Sequence, residues 1–240
     1  MAGILFIISA PSGSGKSTLV SKLLRLLVDN LEFSVSWTTR SPRGSEQDGR
    51  EYHFTDRLTF ERMVAEGEFL EYAEVFGNYY GTAMQSLREA ETRGKDLLLD
   101  IDVQGATQVR RKIPDAVSIF VMPPNKEVLT TRLRNRSLAE GVITPETEKV
   151  IALRLAQASA EIVYYRQYGY ILVNDILDLA VEELAAIVTA ERIRRSGREA
   201  SPEERRLIEL AESCRQTNAT ARLQPVLISF GLYDVETVST

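Results

Sequence analysis

The stretch Ile4-Leu5-Phe6-Ile7-Ile8-Ser9-Ala10-Pro11-Ser12-Gly13-Ser14-Gly15-Lys16-Ser17-Thr18 decides the architecture of this chain. Its first half is a continuous apolar run, the pattern of a strand covered on both faces in a parallel sheet. Its second half is rich in Gly and Ser and leads into a leucine stripe from Ser17 to Val28, which predicts a helix. Strand, small-residue loop, Lys-Ser and helix in that order are what a phosphate-binding P-loop requires. Small residues let successive backbone N–H groups curl around a polyphosphate, the helix N-terminus adds a favourable dipole, and Lys16 places a charge at the β/γ oxygens. Ser12, Gly13, Ser14, Gly15, Lys16, Ser17 and Thr18 are therefore the candidate ATP ligands, and the Ser17 hydroxyl can hold Mg2+. One departure is Ala10, which stands where the usual motif begins with Gly, so the backbone there must accept a Cβ.

Working outward, three more apolar runs, Leu97–Leu99, Val117–Val121 and Tyr170–Val173, each sit beside a helical-period segment. Repeated βα units predict an α/β fold, a P-loop core whose parallel sheet is flanked by helices. Ala83 to Arg93 reads as a helix stopped at Gly94, and Asp178 as the cap of a helix carrying Val181, Leu184 and Ile187. From Phe33 to Thr82 the pattern changes to short mixed strands, with Gly77-Asn78 as a turn. This predicts an inserted mixed α+β subdomain at 33–82 inside a core made of 1–32, 83–124 and 160–195. A second insertion, 125–159, is helical, rich in arginine and broken at Glu140-Gly141 and Pro145; it reads as a lid. Residues 196–240 form a C-terminal extension without an assigned role. Within it Ser201-Pro202-Glu203-Glu204 looks like a helix start, Ile208, Leu210 and Ala211 could form a small apolar face, and the tail beyond shows little periodicity.

Bulk composition narrows the partners. The 240 residues are 44% hydrophobic, enough to fill a core, and 34 acids against 29 bases give a net charge of −5. Such a chain has no global positive field for nucleic acid or anionic lipid, so its basic groups act locally. A single cysteine, Cys214, excludes an internal disulfide, and a single histidine, His53, rules out a multi-histidine metal cage. No apolar stretch approaches the roughly 18 to 20 residues that span a bilayer. The Ile4–Ala10 run lacks a basic flank, so it reads as a first strand and not an export signal. The expected location is the cytoplasm, with monomer and homo-oligomer equally open.

A P-loop names a polyphosphate donor but not an acceptor. The acceptor is suggested by Ser34-Val35-Ser36-Trp37-Thr38-Thr39-Arg40-Ser41-Pro42-Arg43, Asp48-Gly49-Arg50-Glu51-Tyr52, Phe69-Leu70-Glu71-Tyr72-Ala73-Glu74, Gly77-Asn78-Tyr79-Tyr80-Gly81-Thr82 and Leu99-Asp100-Ile101-Asp102-Val103-Gln104-Gly105. Together these segments resemble the guanylate kinases, collinearly from about Ile4 to Arg195. The resemblance implies transfer of the γ-phosphoryl of ATP to GMP, and by extension dGMP. It implies that Ser36, Glu71, Thr82 and Asp102 surround the guanine, and that Arg40, Arg43, Tyr52 and Tyr80 hold the GMP phosphate. The chemistry agrees: guanine presents N1–H and N2–H as adjacent donors to an ionised carboxylate, while a hydroxyl donates to O6. Adenine would present a lone pair instead, and sites built on such bonds discriminate by on the order of 10⁴. His53 matches no functional position of the family.

Phosphoryl transfer is chiefly positioning and charge neutralisation, a task for arginines. Arg132 and Arg136 share one helix face by their spacing. The resemblance makes Arg136 and Arg154 lid arginines that, with Lys16 and Arg43, neutralise the transferring group; Arg132 stays undecided and Arg134 reads as a solvated face. Asp100, after Leu97–Leu99, can hold Mg2+ through water. Asn174-Asp175 resembles an adenine-side contact, with a turn or helix-start role equally open. The link between Arg136 and Arg154 is longer than the family pattern. Two rival functions are a non-catalytic module of the same fold and a kinase for another nucleoside monophosphate; retention of Lys16, Ser17, Arg43, Arg136 and Arg154 argues against the first.

Overall fold

The structure is a computed structural model of the chain and describes residues 3–75, 77–140 and 144–232. In chain order its elements are β1 (Leu5–Ser9), α1 (Lys16–Leu26), β2 (Leu31–Phe33), β3 (Trp37–Thr38), β4 (His53–Phe54), α2 (Arg57–Ala65), β5 (Phe69–Val75), β6 (Asn78–Ala83), α3 (Met84–Thr92), β7 (Asp96–Asp100), α4 (Val103–Lys112), β8 (Val117–Met122), α5 (Lys126–Glu140), α6 (Pro145–Ile162), β9 (Tyr170–Val173), α7 (Leu177–Ser196), α8 (Pro202–Ser213) and α9 (Thr220–Ser229). The described residues group into two compact units, one drawn from Met1–Ser9 and Leu27–Ser118, the other from Ala10–Leu26 and Ile119–Thr240.

In the first unit, β2 and β1 lie on either side of β7, all parallel, with Leu31 opposite Asp96 and Leu5 opposite Leu97. Every residue of β1 is buried, as are Asp96 to Leu99, which is why both strands read as unbroken apolar runs. Asp96 earns its buried place by accepting the Ile4 N–H at 2.8 Å. A second sheet in the order β4, β3, β6, β5 carries the predicted hairpin, whose antiparallel arms β5 and β6 meet across Gly77. Among the short strands of this segment lies one helix, α2. Asp56 caps it by accepting the Thr59 N–H, and Phe60 and Met63 turn one face into a small core in which Phe60 stacks on Phe69 and Tyr79 at 4.4 and 5.2 Å. Helix α4 buries Val103, Ala106 and Val109, and its last residue, Lys112, donates to the carbonyls of Phe69 and Leu70, fixing the helix against β5.

In the second unit β8 and β9 are parallel, with Ile119 opposite Tyr170 and Met122 opposite Val173. Helix α7 packs Ala180, Val181, Leu184 and Ile187 inward and ends at Gly197, whose φ of 66° is the left-handed conformation that stops a helix. Asp178 does not cap it. The helix begins one residue earlier, Ile176 holds the cap position without a side-chain bond, and Asp178 pairs instead with Lys22 at 2.6 Å. Helix α6 opens at the predicted Pro145, with Thr144 and Thr147 forming a reciprocal capping box. Gly141, Val142 and Ile143, in the lengthened lid link, lie outside the described residues.

Beyond α7 the predicted helix start is present: Ser201 and Glu204 cap α8 reciprocally. The tail expected to lack periodicity forms α9 and buries Leu223, Val226 and Leu227; Pro225 inside so short a helix interrupts the pattern by which such a segment is recognised. Tyr233 lies outside the described residues. The chain between α8 and α9 continues the free edge of β9: Ile171 N–H donates to the Cys214 carbonyl at 2.8 Å and Gln216 N–H to the Gly169 carbonyl at 3.0 Å. Cys214 is fully buried and burial pushes its thiol above the usual range, so it behaves as a packed apolar group. Beside it Glu191 accepts from Tyr170, Arg194 and Arg215, and Arg215 also lies over the Tyr170 ring, 4.3 Å from its centroid. No described helix is long and apolar enough to cross a membrane.

Candidate active site

The first unit gathers the predicted guanine-side residues by strand register. β5 and β6 place Glu71 opposite Thr82, and the Thr82 hydroxyl donates to Glu71 Oε1 at 2.6 Å. Glu71 is 4% exposed. Burial, reinforced by the nearby negative charge of Asp102, pushes its carboxyl up to about 7 against the downward pull of the Thr82 bond. Asp102 reaches the same place from the N-terminus of α4, where its Oδ1 accepts the Gly105 N–H at 2.8 Å. Gly105 stands directly behind the Glu71 carboxylate; a Cβ there would lie 2.5 Å from Oε2. Glu71, Thr82 and Asp102 thus form one cluster, with a carboxylate that has an oxygen to spare for paired N–H donors. Ser36 lies just before β3, half-buried, and its carbonyl accepts the His53 N–H at 2.9 Å. His53 packs its ring 4.9 Å from Trp37, the ordinary strand role expected of it.

Arg40, Tyr52 and Tyr80 form a second group in this unit. The Arg40 guanidinium lies over the Tyr52 ring, 5.3 Å from its centroid, and Tyr52 meets Tyr80 edge-on at 5.8 Å. Both terminal nitrogens of Arg40 are held by Glu46, at 2.9 and 3.0 Å, and Glu46 also accepts the Arg43 N–H at 2.8 Å. The Arg43 guanidinium is exposed. Burial and the negative charge of Asp100, which ends β7, raise the Tyr52 phenol above its ordinary range, so it is a proton donor at neutral pH.

The second unit holds the loop from Ala10 to Thr18. Its glycines bend where only glycine is comfortable, with φ of 89° at Gly13 and 88° at Gly15. Lys16 and Ser17 open α1, so their backbone N–H groups are helix-terminal donors. The loop is braced from outside. A Cβ on Gly13 would meet the Leu129 and Leu133 side chains of α5 at 2.9 and 3.0 Å. Asn174 donates its side-chain N–H to the Ser14 carbonyl at 2.7 Å, and Arg132 donates to the same carbonyl at 3.3 Å. Arg136, one turn on, is exposed on α5, and Arg154 is half-buried on α6. Arg134 pairs with Glu148 at 3.1 Å on the outer face, the solvated role expected of it. Asp175 is an exposed turn residue, its N–H donating to the Val173 carbonyl at 3.0 Å.

Residues 3–191 match the family model described as guanylate kinase. The chain belongs to the guanylate kinase family. A protein of Koribacter versatilis named guanylate kinase is 56% identical over 230 residues, covering 96% of this chain and 97% of that one. The guanylate kinase of Escherichia coli K12 is 47% identical over 196 residues, covering 81% of this chain and 91% of its own. Among solved structures, guanylate kinase from Anaplasma phagocytophilum superposes with a TM-score of 0.64 at 34% identity, covering 80% of this chain and 87% of that one. The P-loop α/β class inferred from Ile4–Thr18 is thereby established. A match of 230 residues has to run through the segments that form α8 and α9 here, so the sequence similarity to the Koribacter protein includes the C-terminal extension.

Three residues that shape these groups escaped the sequence. Gly105 was visible only as the end of the segment Leu99 to Gly105, and nothing local says that its missing Cβ makes room for Glu71. Glu46, a loop acid, neutralises Arg40 through a tertiary arrangement with no sequence periodicity. Arg132 showed the right helical spacing from Arg136, yet its attachment to Ser14 needs the fold.

Proposed function

We infer that this guanylate kinase family member transfers the γ-phosphoryl group of ATP to GMP, giving ADP and GDP, and that dGMP is also an acceptor. The observation that carries the reading is the buried Glu71 carboxyl, oriented by Thr82 beside Asp102 in a chain that matches the family through residue 191. An ionised carboxylate there accepts the paired N–H donors of guanine and leaves adenine unmatched.

In this mechanism Arg40, Arg43, Tyr52 and Tyr80 hold the acceptor phosphate, with Glu46 exchanging its place on Arg40 for the phosphate dianion. Ser36 completes the guanine surround. Ser12 to Thr18 hold the polyphosphate of ATP, with Asn174 and Asp175 on the donor side. Lys16, Arg43, Arg136 and Arg154 neutralise the charge that spreads over the equatorial oxygens, lowering the barrier by electrostatic stabilisation. We assign 33–82 to acceptor binding and 125–159 to a lid that excludes water, both inserted into a core of 1–32, 83–124 and 160–195.

The residues available for a metal are the Ser17 hydroxyl and, through water, the Asp100 carboxylate. Among the described residues no three His, Cys, Asp or Glu side chains form a metal cage. A donor set of one hydroxyl and one carboxylate fits Mg2+, which takes most of its oxygens from phosphate and water. When bound, Mg2+ would offset the negative charge of the polyphosphate oxygens. Such a reaction belongs to purine nucleotide metabolism, and one cysteine accords with the reducing cytoplasm.

Steady-state phosphorylation of each nucleoside monophosphate with ATP and Mg2+ tests the reading. GMP and dGMP should be consumed, and AMP, CMP and UMP poorly; comparable rates with AMP would defeat the guanine-edge argument. Glu71→Gln should raise the KM for GMP and leave the KM for ATP near its starting value.

A further inference from the structure

Asn174 resembles, by position, a contact to the base of the donor nucleotide. In the folded chain its side chain is buried and its amide nitrogen is committed to the protein: Nδ2 donates to the Ser14 carbonyl at 2.7 Å. The opposite amide orientation would set two acceptors face to face, so the donor assignment follows from the partner. Its backbone is fixed too, the N–H donating to the Met122 carbonyl at 2.8 Å and the carbonyl accepting from Arg132 Nη2 at 3.0 Å. The other terminal nitrogen of Arg132 reaches Ser14 O at 3.3 Å. Ser14 O, Asn174 and Arg132 thus close a triangle at the end of β9. On the same side of this peptide, a Cβ added to Gly15 would fall 2.4 Å from that Asn174 Nδ2, so the loop is packed against this side chain as well as bonded to it.

The consequence follows from peptide geometry. In a planar trans peptide the C=O of Ser14 and the N–H of Gly15 point in opposite directions. Holding the carbonyl outward on Asn174 and Arg132 therefore turns the Gly15 N–H inward, to the concave side of the loop where successive N–H groups receive phosphate. Gly15, at a φ of 88°, has no side chain to resist rotation of that peptide, so an external anchor is needed to hold it. Resting on the ATP-donor reading, we propose that Asn174 is a positioning residue for the phosphate cradle, acting with Arg132 through the Ser14 carbonyl and not through the base. Arg132, which the sequence left undecided, acquires the same task, and because it sits one turn before Arg136 it ties the root of the lid helix to the loop that holds the donor.

The test separates base from phosphate. ITP carries the same triphosphate as ATP and differs at the base, where the 6-amino group is replaced by oxygen. Donor KM values for ATP and ITP, and the KM for GMP, are measured on the full chain and on Asn174→Ala. Loss of the anchor should raise the KM for ATP and for ITP by the same factor, about tenfold for one buried hydrogen bond of this kind, with the KM for GMP unchanged. A penalty confined to ATP would mean that Asn174, through its Oδ1, reads the adenine 6-amino group, and the proposal would be overturned. So would unchanged KM values for both donors. If Asn174→Ala melts below the assay temperature, Asn174→Asp serves instead: it keeps the shape, places an acceptor against the Ser14 carbonyl, and should raise both donor KM values further. A wild-type chain unable to phosphorylate GMP from ATP would instead refute the function itself, a result distinct from any outcome among the variants.

Discussion

The Thr82 hydroxyl gives its single proton to Glu71 Oε1 at 2.6 Å, inside a site where that carboxyl is pushed up to about 7. Protonated, the carboxyl presents an O–H where guanine needs an acceptor; ionised, it accepts N1–H and N2–H together. GMP binding should therefore release a proton and strengthen as the pH rises, by roughly tenfold per unit below about pH 7, levelling off above it. Isothermal titration of GMP across pH 5.5 to 8.5 measures this, with Glu71→Gln as the comparator that retains only the titration of the GMP phosphate. Equal slopes in the two proteins would remove Glu71 from the pH dependence.

The same shift has a cost for the empty protein. A carboxyl whose folded-state value is raised stabilises the fold fully below its unfolded value, near 4.5, and loses that contribution as the pH climbs through about 7. Thermal melts of the ligand-free chain should accordingly show Glu71→Gln gaining on the wild type between pH 5 and pH 8. A constant difference over that range would mean that Glu71 ionises without penalty.

Thr82→Val removes the donor and leaves a similar volume. The carboxylate loses the bond that favours its charged form, so the midpoint of the pH dependence moves upward and kcat/KM for GMP falls by about 10- to 100-fold at neutral pH. Thr82→Ser should recover most of it. If valine and serine variants behave alike, the hydroxyl has no part in recognition.

Gly105 tests the packing behind the same carboxylate. Alanine would bring a Cβ within 2.5 Å of Glu71 Oε2, too close to be accommodated without moving the side chain. Overpacking of this kind costs about 1 to 3 kcal/mol. Gly105→Ala is expected to raise the KM for GMP at least about tenfold while the KM for ATP stays put. A variant with native GMP kinetics would show that Glu71 has room to retreat.

What the sequence disclosed and what it withheld divide along physical lines. The P-loop and its sheet were legible because Ile4–Ile8, Leu97–Leu99 and Tyr170–Leu172 are buried on both faces and so leave no polar alternation. The capping box of α8 was legible because Ser201 and Glu204 act within four residues. Asp178 misled because a first-turn acid and a capping acid have the same composition, and the choice was made by Lys22, which is distant in sequence. Helix α2 was available in principle, since Asp56 precedes Phe60 and Met63 at helical spacing, but nine residues between short strands gave a weak signal. The Asn174, Arg132 and Ser14 triangle was beyond reach, because it joins three segments through one backbone carbonyl that no residue type announces.

The C-terminal helices carry the last prediction. Glu191 is largely buried and faces Tyr170, Arg194 and Arg215, the last supplied by the segment that continues the edge of β9. Removing its carboxylate takes one of two shared acceptors from Arg194 and Arg215, leaving them Glu212, and strips the Tyr170 hydroxyl of its acceptor, the costly way to break such a group. Because Arg194 and Arg215 keep about a third of their surface in water, at 30% and 33%, solvent screens part of that cost. Glu191→Ala is expected to lose about 2 to 3 kcal/mol, lowering the melting temperature by roughly 5 to 10 °C. Glu191→Gln keeps an acceptor and should lose less. In hydrogen exchange, the amide of Ile171, which donates to the Cys214 carbonyl, should lose protection in Glu191→Ala along with α8. If Ile171 stays protected while the protein melts earlier, the extension is held to β9 by its apolar contacts, and the charged group serves only global stability.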